Sequence, residues 1–413
     1  MLITLREHEY LPVLEDWVGN PAFGSFVSTL GETLSRGDHA VSTTPRLLEK
    51  FSRWSGLSDD QRTVLQTTAR SLVTPPLAFQ DVTDSLLLHG PAHDPLLPSD
   101  LVRWHRRDWT WLQQRGRLER TVLGAENLDD AKWFEWLARA WASRLRSRVP
   151  ATAHEHRSPT AAGEPSLRCR GLGGNTAQQE VPHEAADGDP VLCILDSDRN
   201  HPNAELGGTA RGLAKALKAA PSVERMLHVE HLRARDVENI LPLELVRTAG
   251  RGSPWLEPME KRGFFARPTV DVELSYIDLG KDQCERRLLA TEDKKTKNYR
   301  TRALARIRQL DHSCTPSAQT CEGERTVAPD CLGKGAGPLP TSCIIVHSVG
   351  KPLRRILEAI DAEDRAPQPA RSHPSTAAWL AAMLPPDDPA VLTPARLAWS
   401  WGLCSRPRIR GAQ

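Results

Sequence analysis

Two aspartates one residue apart, Asp196 and Asp198, follow directly on the unbroken apolar run Val191–Leu195. A strand that ends in paired carboxylates can turn both toward one crevice. Such a pair suits a hard cation such as Mg²⁺, which prefers oxygen ligands and keeps waters to share with a phosphate. A second apolar run, Thr121–Ala125, ends in the same way at Glu126. A glutamate from a neighbouring strand can complete the site or act as its acid–base group. Asp196-Ser-Asp198 also reads as a plain strand-to-helix turn, because Asp and Ser cap helices well. The matching strand-end position of Glu126 favours the metal reading.

The flanking residues test other chemistries. Asp196, Asp198 and Asn200 would serve a calcium loop, but His201 stands where that loop needs Gly and Gly207 where it needs Glu. A buried strand followed by Asp-x-Asp also resembles a haloacid-dehalogenase-like phosphatase with Asp196 as nucleophile. Asn200 departs from the Thr or Val usual there, and the reading stays as an alternative. No Gly-x-x-x-x-Gly-Lys-[Ser/Thr] occurs, so the chain carries no P-loop ATPase. Gly171-Leu-Gly-Gly-Asn lacks the full dinucleotide fingerprint and reads as a tight turn near the site. Downstream, residues 226–232 read as a strand beside Val191–Leu195. The loop after it would bring Glu238 to the same carboxyl edge, with Asp236 competing as a simple helix cap and Pro242 opening a helix.

Other candidates are weaker. His228 and His231 flank that strand without a third ligand at metal spacing. Cys314, Cys321, Cys331 and Cys343 are spaced too irregularly for zinc. Residues 285–308 hold nine Lys or Arg against three acidic residues, which suits a phosphate backbone or simply the solvated face of a helix. Six arginines in 103–120 surround Trp104, Trp109 and Trp111, where core packing is the favoured role of the rings over base stacking.

The elements that must position these groups follow from periodicity. Residues 1–118 read as a helical amino-terminal domain, with helices around 47–51 and 65–72. Residues 119–285 read as an α/β domain. It takes strands at 121–125, 167–170, 191–195 and 226–232, and helices at 129–147 and 209–219. Trp133, Leu137, Trp141 and Leu145 recur every four residues along the first helix, and Asp129 and Asp130 suit its positive end. Residues 150–166 read as a mobile polar loop. Residues 286–413 read as a basic, Pro-rich and partly irregular carboxy-terminal region. Within or near it, strands are expected at 270–277 and 343–347, a helix at 352–362 and a loop over 311–342.

The chain has 413 residues and a net charge of +2, which excludes histone-like and polyacidic classes and leaves any nucleic-acid affinity to local patches. No apolar run is long enough for a membrane span, and the first residues are too charged for a signal peptide. The eight cysteines are scattered without a Cys-x-x-Cys pair, so reduced thiols in the cytoplasm are expected.

Taken in order, Glu126-Asn-Leu-Asp-Asp-Ala-Lys-Trp-Phe, Gly173-Gly-Asn, Leu195-Asp-Ser-Asp-Arg and Arg235-Asp-Val-Glu238-Asn resemble a toprim domain. The likeness is to OLD-family nucleases and toprim-like proteins of bacterial anti-phage defence, and it covers about residues 118–285. It implies a small Rossmann-like parallel sheet in which Asp196 and Asp198 bind Mg²⁺ (or Mn²⁺) and Glu126 is the acid–base glutamate and a further metal ligand. Arg235 and Glu238 would match a downstream Arg–Glu element. Lys281, in Ile277-Asp-Leu-Gly-Lys, resembles a lysine carried after the sheet. The implied activity is a metal-dependent nuclease acting on DNA or RNA. A separate ATPase subunit is the expected partner, because the ATPase half of many OLD-like proteins is absent from this chain. Homo-oligomerisation is compatible with the resemblance, as is a non-catalytic metal-binding subunit of a defence complex.

Overall fold

The fold is that of a computed structural model. It describes residues 1–72, 84–90, 103–115, 118–148, 165–186, 189–219, 226–251, 256–261, 263–264, 273–279, 283–311, 345–346, 352–366 and 375–404. The amino-terminal part departs from the helical domain expected of it. Strand β1 (Leu2–Leu5) pairs in parallel with β2 (Ala40–Ser42) on one side and β3 (Asp84–His89) on the other. Strand β4 (Arg103–Asp108) extends β3, giving the order β2-β1-β3-β4. The expected helices are present as well, at Pro45–Ser52 and Asp59–Ser71, alongside Pro21–Ser35. Thr44 and Ser58 cap the first two through their side-chain oxygens. The sheet escaped the sequence because β1 and β2 span only four and three residues, too few to show a period of two. Trp17, Trp54 and Trp109 pack edge-on against Phe23, and Trp17 against Trp109, as the core role predicted for Trp109 requires.

The second sheet follows the sequence closely. Strands β5 (Thr121–Ala125), β6 (Leu167–Gly171), β7 (Val191–Leu195) and β8 (Leu227–His231) are all parallel, in the order β6-β5-β7-β8. Leu123, Ala125, Leu192 and Ile194 join the core that includes Trp133, Leu137 and Trp141 of helix Leu128–Arg148. Val122, Val191, Cys193 and Leu195 pack on the opposite side with Ala177, Val181 and Leu213, from helices Ala177–Ala186 and Gly208–Ala219. Cover on both faces is why these strands carry unbroken apolar runs. Each fully buried Val, Leu or Ile adds about 1.5–3 kcal/mol of hydrophobic stabilisation.

The carboxy-terminal part is more ordered than its composition suggested. Helices occur at Pro352–Arg365, Thr376–Met383 and Pro389–Gly402. Arg144 donates to the carbonyls of Ala381, Leu384 and Pro385, closing the end of the second of these against helix Leu128–Arg148. Trp399 and Trp401 are fully buried. Strand β10 (Ile345–Val346) falls within the expected 343–347 and pairs antiparallel with β9 (Gln283–Cys284). Residues 273–277 correct the strand expected at 270–277. They form a turn and bend, because the carbonyls of Ser275 and Ile277 accept from the Arg235 backbone N–H and Asn239 Nδ2, leaving no ladder to join. The loop expected at 150–166 lies outside the described residues except for Pro165 and Ser166. Ser166 is pinned, donating from its backbone to Gly402 O and from its hydroxyl to Asp38. Residues 312–342 of the expected carboxy-terminal loop also lie outside. Among the described residues no helix is long and apolar enough to cross a membrane.

Candidate metal centre

Strands β5 and β7 are neighbours, yet the chain runs outward from β5 to β6 on one side and from β7 to β8 on the other. That reversal opens a crevice at the carboxyl ends of β5 and β7, the place where open α/β sheets bind ligands. Glu126 follows β5 directly and Asp196 follows β7.

Local geometry fixes both strand exits. Glu126 O accepts from Gly173 N at 2.9 Å, which ties the end of β5 to the turn after β6. Gly173 takes a φ of +61°, and a Cβ on Gly174 would stand 2.6 Å from Glu126 Oε1, so glycine there leaves the carboxylate its room. Asp198, at φ +51°, is the only non-glycine in the left-handed region among the described residues, a conformation Asp tolerates better than most. It is held there because Ser197 N and Asp198 N both donate to Arg235 O at 3.0 Å, while Ser197 Oγ donates to Ala234 O. A Cβ on Gly207 would collide with Asp198. The exits of β7 and β8 are thereby laced together.

Seven carboxyl groups act on one another across this edge: Glu126, Asp130, Asp196, Asp198, Asp236, Glu238 and Asp278. Burial pushes the Asp196 carboxyl well above its ordinary range, and the charges of Asp236, Asp130, Glu126 and Glu238 add to the rise. Burial also raises Glu126, with the charge of Asp198 second, opposed by a hydrogen bond with Asp196. Asp130 is pushed up to about 7 by burial and by Glu238. Asp236 is raised well up by burial and Glu238, and Glu238 by burial, Asp278 and Glu126. Asp236 Oδ1 is buried with no hydrogen-bond partner.

The structure therefore brings Glu126, Asp196, Asp198 and Glu238 to one edge. Glu238 sits in the short 3₁₀ turn Val237–Ile240, just ahead of helix Leu243–Ala249, and Asp236 precedes it with its N–H donated to Asn239 Oδ1. Lys281 lies outside the described residues. Among the described residues, no three or more His, Cys, Asp or Glu side chains close into a metal-holding group as they stand. The donor set nonetheless fits a hard divalent cation. It is all oxygen, it carries one orphaned buried carboxylate oxygen, and glycine keeps space open beside Glu126.

Three members were missed as site residues. Asp130 reads in the sequence as a helix-end charge, and it does pair reciprocally with Asn127 at the start of helix Leu128–Arg148. Its position four residues after Glu126, one turn along, was the available signal. Asp236 reads as a cap. Asp278 carries no local signal, because the turn at 273–277 places it. His228 instead meets Glu230 at 3.3 Å and stacks on Trp401, and burial lowers His231. Cys169 and Cys193 are free thiols, and Cys314, Cys321, Cys331 and Cys343 lie outside the described residues. No protein-family model, no curated protein and no solved structure matches this chain.

Proposed function

We propose that the chain is a divalent-cation-dependent nuclease of the toprim kind, cleaving phosphodiester bonds of DNA or RNA. The observation that carries the reading is the cluster of mutually repelling, pKa-raised carboxyl groups centred on Asp196 at the crevice between β5 and β7. Perturbed titrating groups gathered in a cleft mark a functional site, and a cation is the simplest ligand that relieves such repulsion. In this reading Asp196 and Asp198 hold Mg²⁺ or Mn²⁺, which supplies the Lewis acid for the phosphate. Glu126, half-buried and raised, is suited to move a proton. Glu238 and Asp130 set the charge around the cation. A setting in anti-phage defence, with an ATPase on another chain, is what the sequence resemblance suggests.

The test is cleavage of plasmid, tRNA and single-stranded oligonucleotides with Mg²⁺, Mn²⁺ or EDTA. Cleavage is expected with either metal and not with EDTA, and Asp196→Ala and Glu126→Ala should each lose about 100-fold or more. Full activity in Asp196→Ala would contradict the reading. Loss in Asp196→Ala with Glu126→Ala unaffected would point to the phosphatase-like alternative.

A further inference from the structure

A cleft beside the carboxylate edge holds polar groups that the cation reading leaves unused. Its volume is about 410 Å³, within the roughly 300–1,000 Å³ of small-molecule sites. Asp198 lines it together with His201 of the loop after β7. Asp293 and Lys295, at the start of the basic helix Lys294–Leu310, line it as well. A ligand in the cleft would therefore lie against a residue assigned to the cation. His201 is only 7% exposed, yet one side of its ring is uncommitted. Its Nδ1 accepts the Asn203 backbone N–H at 3.2 Å, and its carbonyl accepts the Ala204 N–H at 3.0 Å, so the loop fixes its own ring. A nitrogen that accepts in this way carries no hydrogen, which puts the ring hydrogen on Nε2. Asp293 Oδ2 stands 3.8 Å from Nε2, beyond hydrogen-bond reach, and among the described residues Nε2 has no acceptor.

Asp293 supplies the matching acceptor. It caps the basic helix, with Oδ1 accepting from Lys295 N at 3.2 Å and Oδ2 from Thr296 N at 2.9 Å and from the Thr296 hydroxyl. The Thr296 hydroxyl, and then its N–H, hold the Asp293 carboxyl below its ordinary range, so it stays an acceptor. Two of the three bonds fall on Oδ2, which leaves Oδ1 a further acceptor position. A fixed donor and a spare acceptor lining one cleft match a group that accepts and donates at once, which is a hydroxyl. A bare anion fits less well. Asp198 and Asp293 face the cleft against Lys295, while Arg211 is taken by Glu205 at 3.1 Å. On a nucleic-acid strand that hydroxyl is the ribose 2′-OH, which DNA lacks.

We propose that His201 and Asp293 bind the ribose 2′-hydroxyl of a nucleotide beside the scissile phosphate, and so select RNA over DNA. That a nucleic-acid strand enters the cleft rests on the nuclease reading. The hydroxyl site itself rests on the fixed His201 ring, the open acceptor of Asp293 and the cleft they line.

The test is binding, by fluorescence anisotropy in EDTA, of single-stranded oligonucleotides of one sequence made as RNA, DNA and 2′-O-methyl RNA. Wild type should bind RNA about tenfold more tightly than DNA. The 2′-O-methyl strand should fall with DNA, because methylation removes the donor. His201→Ala should bring RNA down to the level of DNA and change DNA affinity less than twofold. Asp293→Asn keeps a side-chain oxygen for the helix cap but loses the carboxylate, and should cut the RNA preference at least threefold. If thermal melting shows His201→Ala to be unfolded, Asp293→Asn decides in its place. Equal affinity of wild type for RNA and DNA would overturn the hydroxyl site, even in a protein that cleaves. So would an RNA preference that survives both substitutions, or no binding of any strand. An RNA preference lost in both variants, in a protein that cleaves nothing, would uphold the site and sink the nuclease reading.

Discussion

Asp130 carries two opposed demands. Its carboxylate accepts from Asn127 to start helix Leu128–Arg148, and its burial beside Glu238 pushes its pKa from 3.8 up to about 7. Between those pH values the folded chain holds a proton that the unfolded chain has released. The stability linked to this group is therefore highest below pH 4 and falls as pH rises toward 7, by on the order of 4 kcal/mol. Asp196, Asp236, Glu126 and Glu238 shift in the same direction and add to that fall. A bound cation would offset the loss where the carboxylates are charged. Thermal melts should then show a marked rise with Mg²⁺ at pH 8 and little at pH 5. Asp130→Asn keeps an oxygen acceptor for Asn127 and removes the charge. Without metal it should raise stability at pH 8 by on the order of 2 kcal/mol and leave pH 5 nearly unchanged. A destabilised Asp130→Asn at pH 8 would show that capping outweighs repulsion.

At the level of elements, the site depends on β5 and β7 standing side by side, and on what holds the far side of the sheet. Helix Pro389–Gly402 touches β3, β5 and β7, so it lies between the two sheets. Near its end, Trp401 has its ring 4.9 Å from His105 of β4 and 6.4 Å from His228 of β8. Its carbonyl accepts from Thr121 Oγ1 at the start of β5. Trp401→Ala should cost about 3–5 kcal/mol and weaken metal response only in proportion to unfolding, as measured by denaturant melts with and without Mg²⁺. A cost below 1 kcal/mol would mean the helix is not a structural wedge.

The elements also differ in how openly the sequence displays them. β5 and β7 were readable because burial on both faces demands runs such as Val-Leu-Cys-Ile-Leu. β4, Arg-Trp-His-Arg-Arg-Asp, offers no such run, and its pairing with β3 is a tertiary fact. The turn at 273–277 was unreadable for the same reason. Its backbone bonds go to Arg235 and Asn239, some forty residues away in sequence, so alternation alone suggested a strand. Glu126 and Asp196 end strands and could be found. Asp278 is carried to the cluster by that turn and could not.

Over the whole molecule, the two sheets repeat one plan. Each runs from its first strand to a neighbour on one side and then adds its third and fourth strands on the other, giving β2-β1-β3-β4 and β6-β5-β7-β8. Among the described residues, it is the second that gathers seven carboxyl groups at its reversal point. In the first, Glu9 is buried there, accepting from Gly90 N at 2.7 Å just past β3 and pairing with Arg6 at 3.3 Å. Tyr10 donates to Leu88 O beside it. The same architecture thus supports a closed, self-satisfied edge in one sheet and a strained acidic edge in the other. Core residues from Met1 to Leu403 belong to one continuous hydrophobic cluster, so the acidic edge is built on a shared rigid base. Mn²⁺ titration at pH 8, followed by electron paramagnetic resonance of the free ion, asks whether that edge binds a cation. Wild-type protein should take up Mn²⁺, take up less at pH 5 because Asp130 is raised to about 7 and Asp196, Glu126 and Glu238 are shifted in the same direction, and lose the uptake at both pH values in Asp196→Ala. Equal uptake by wild type and a folded Asp196→Ala, or none by wild type at pH 8, would contradict the cation site on which the nuclease reading depends.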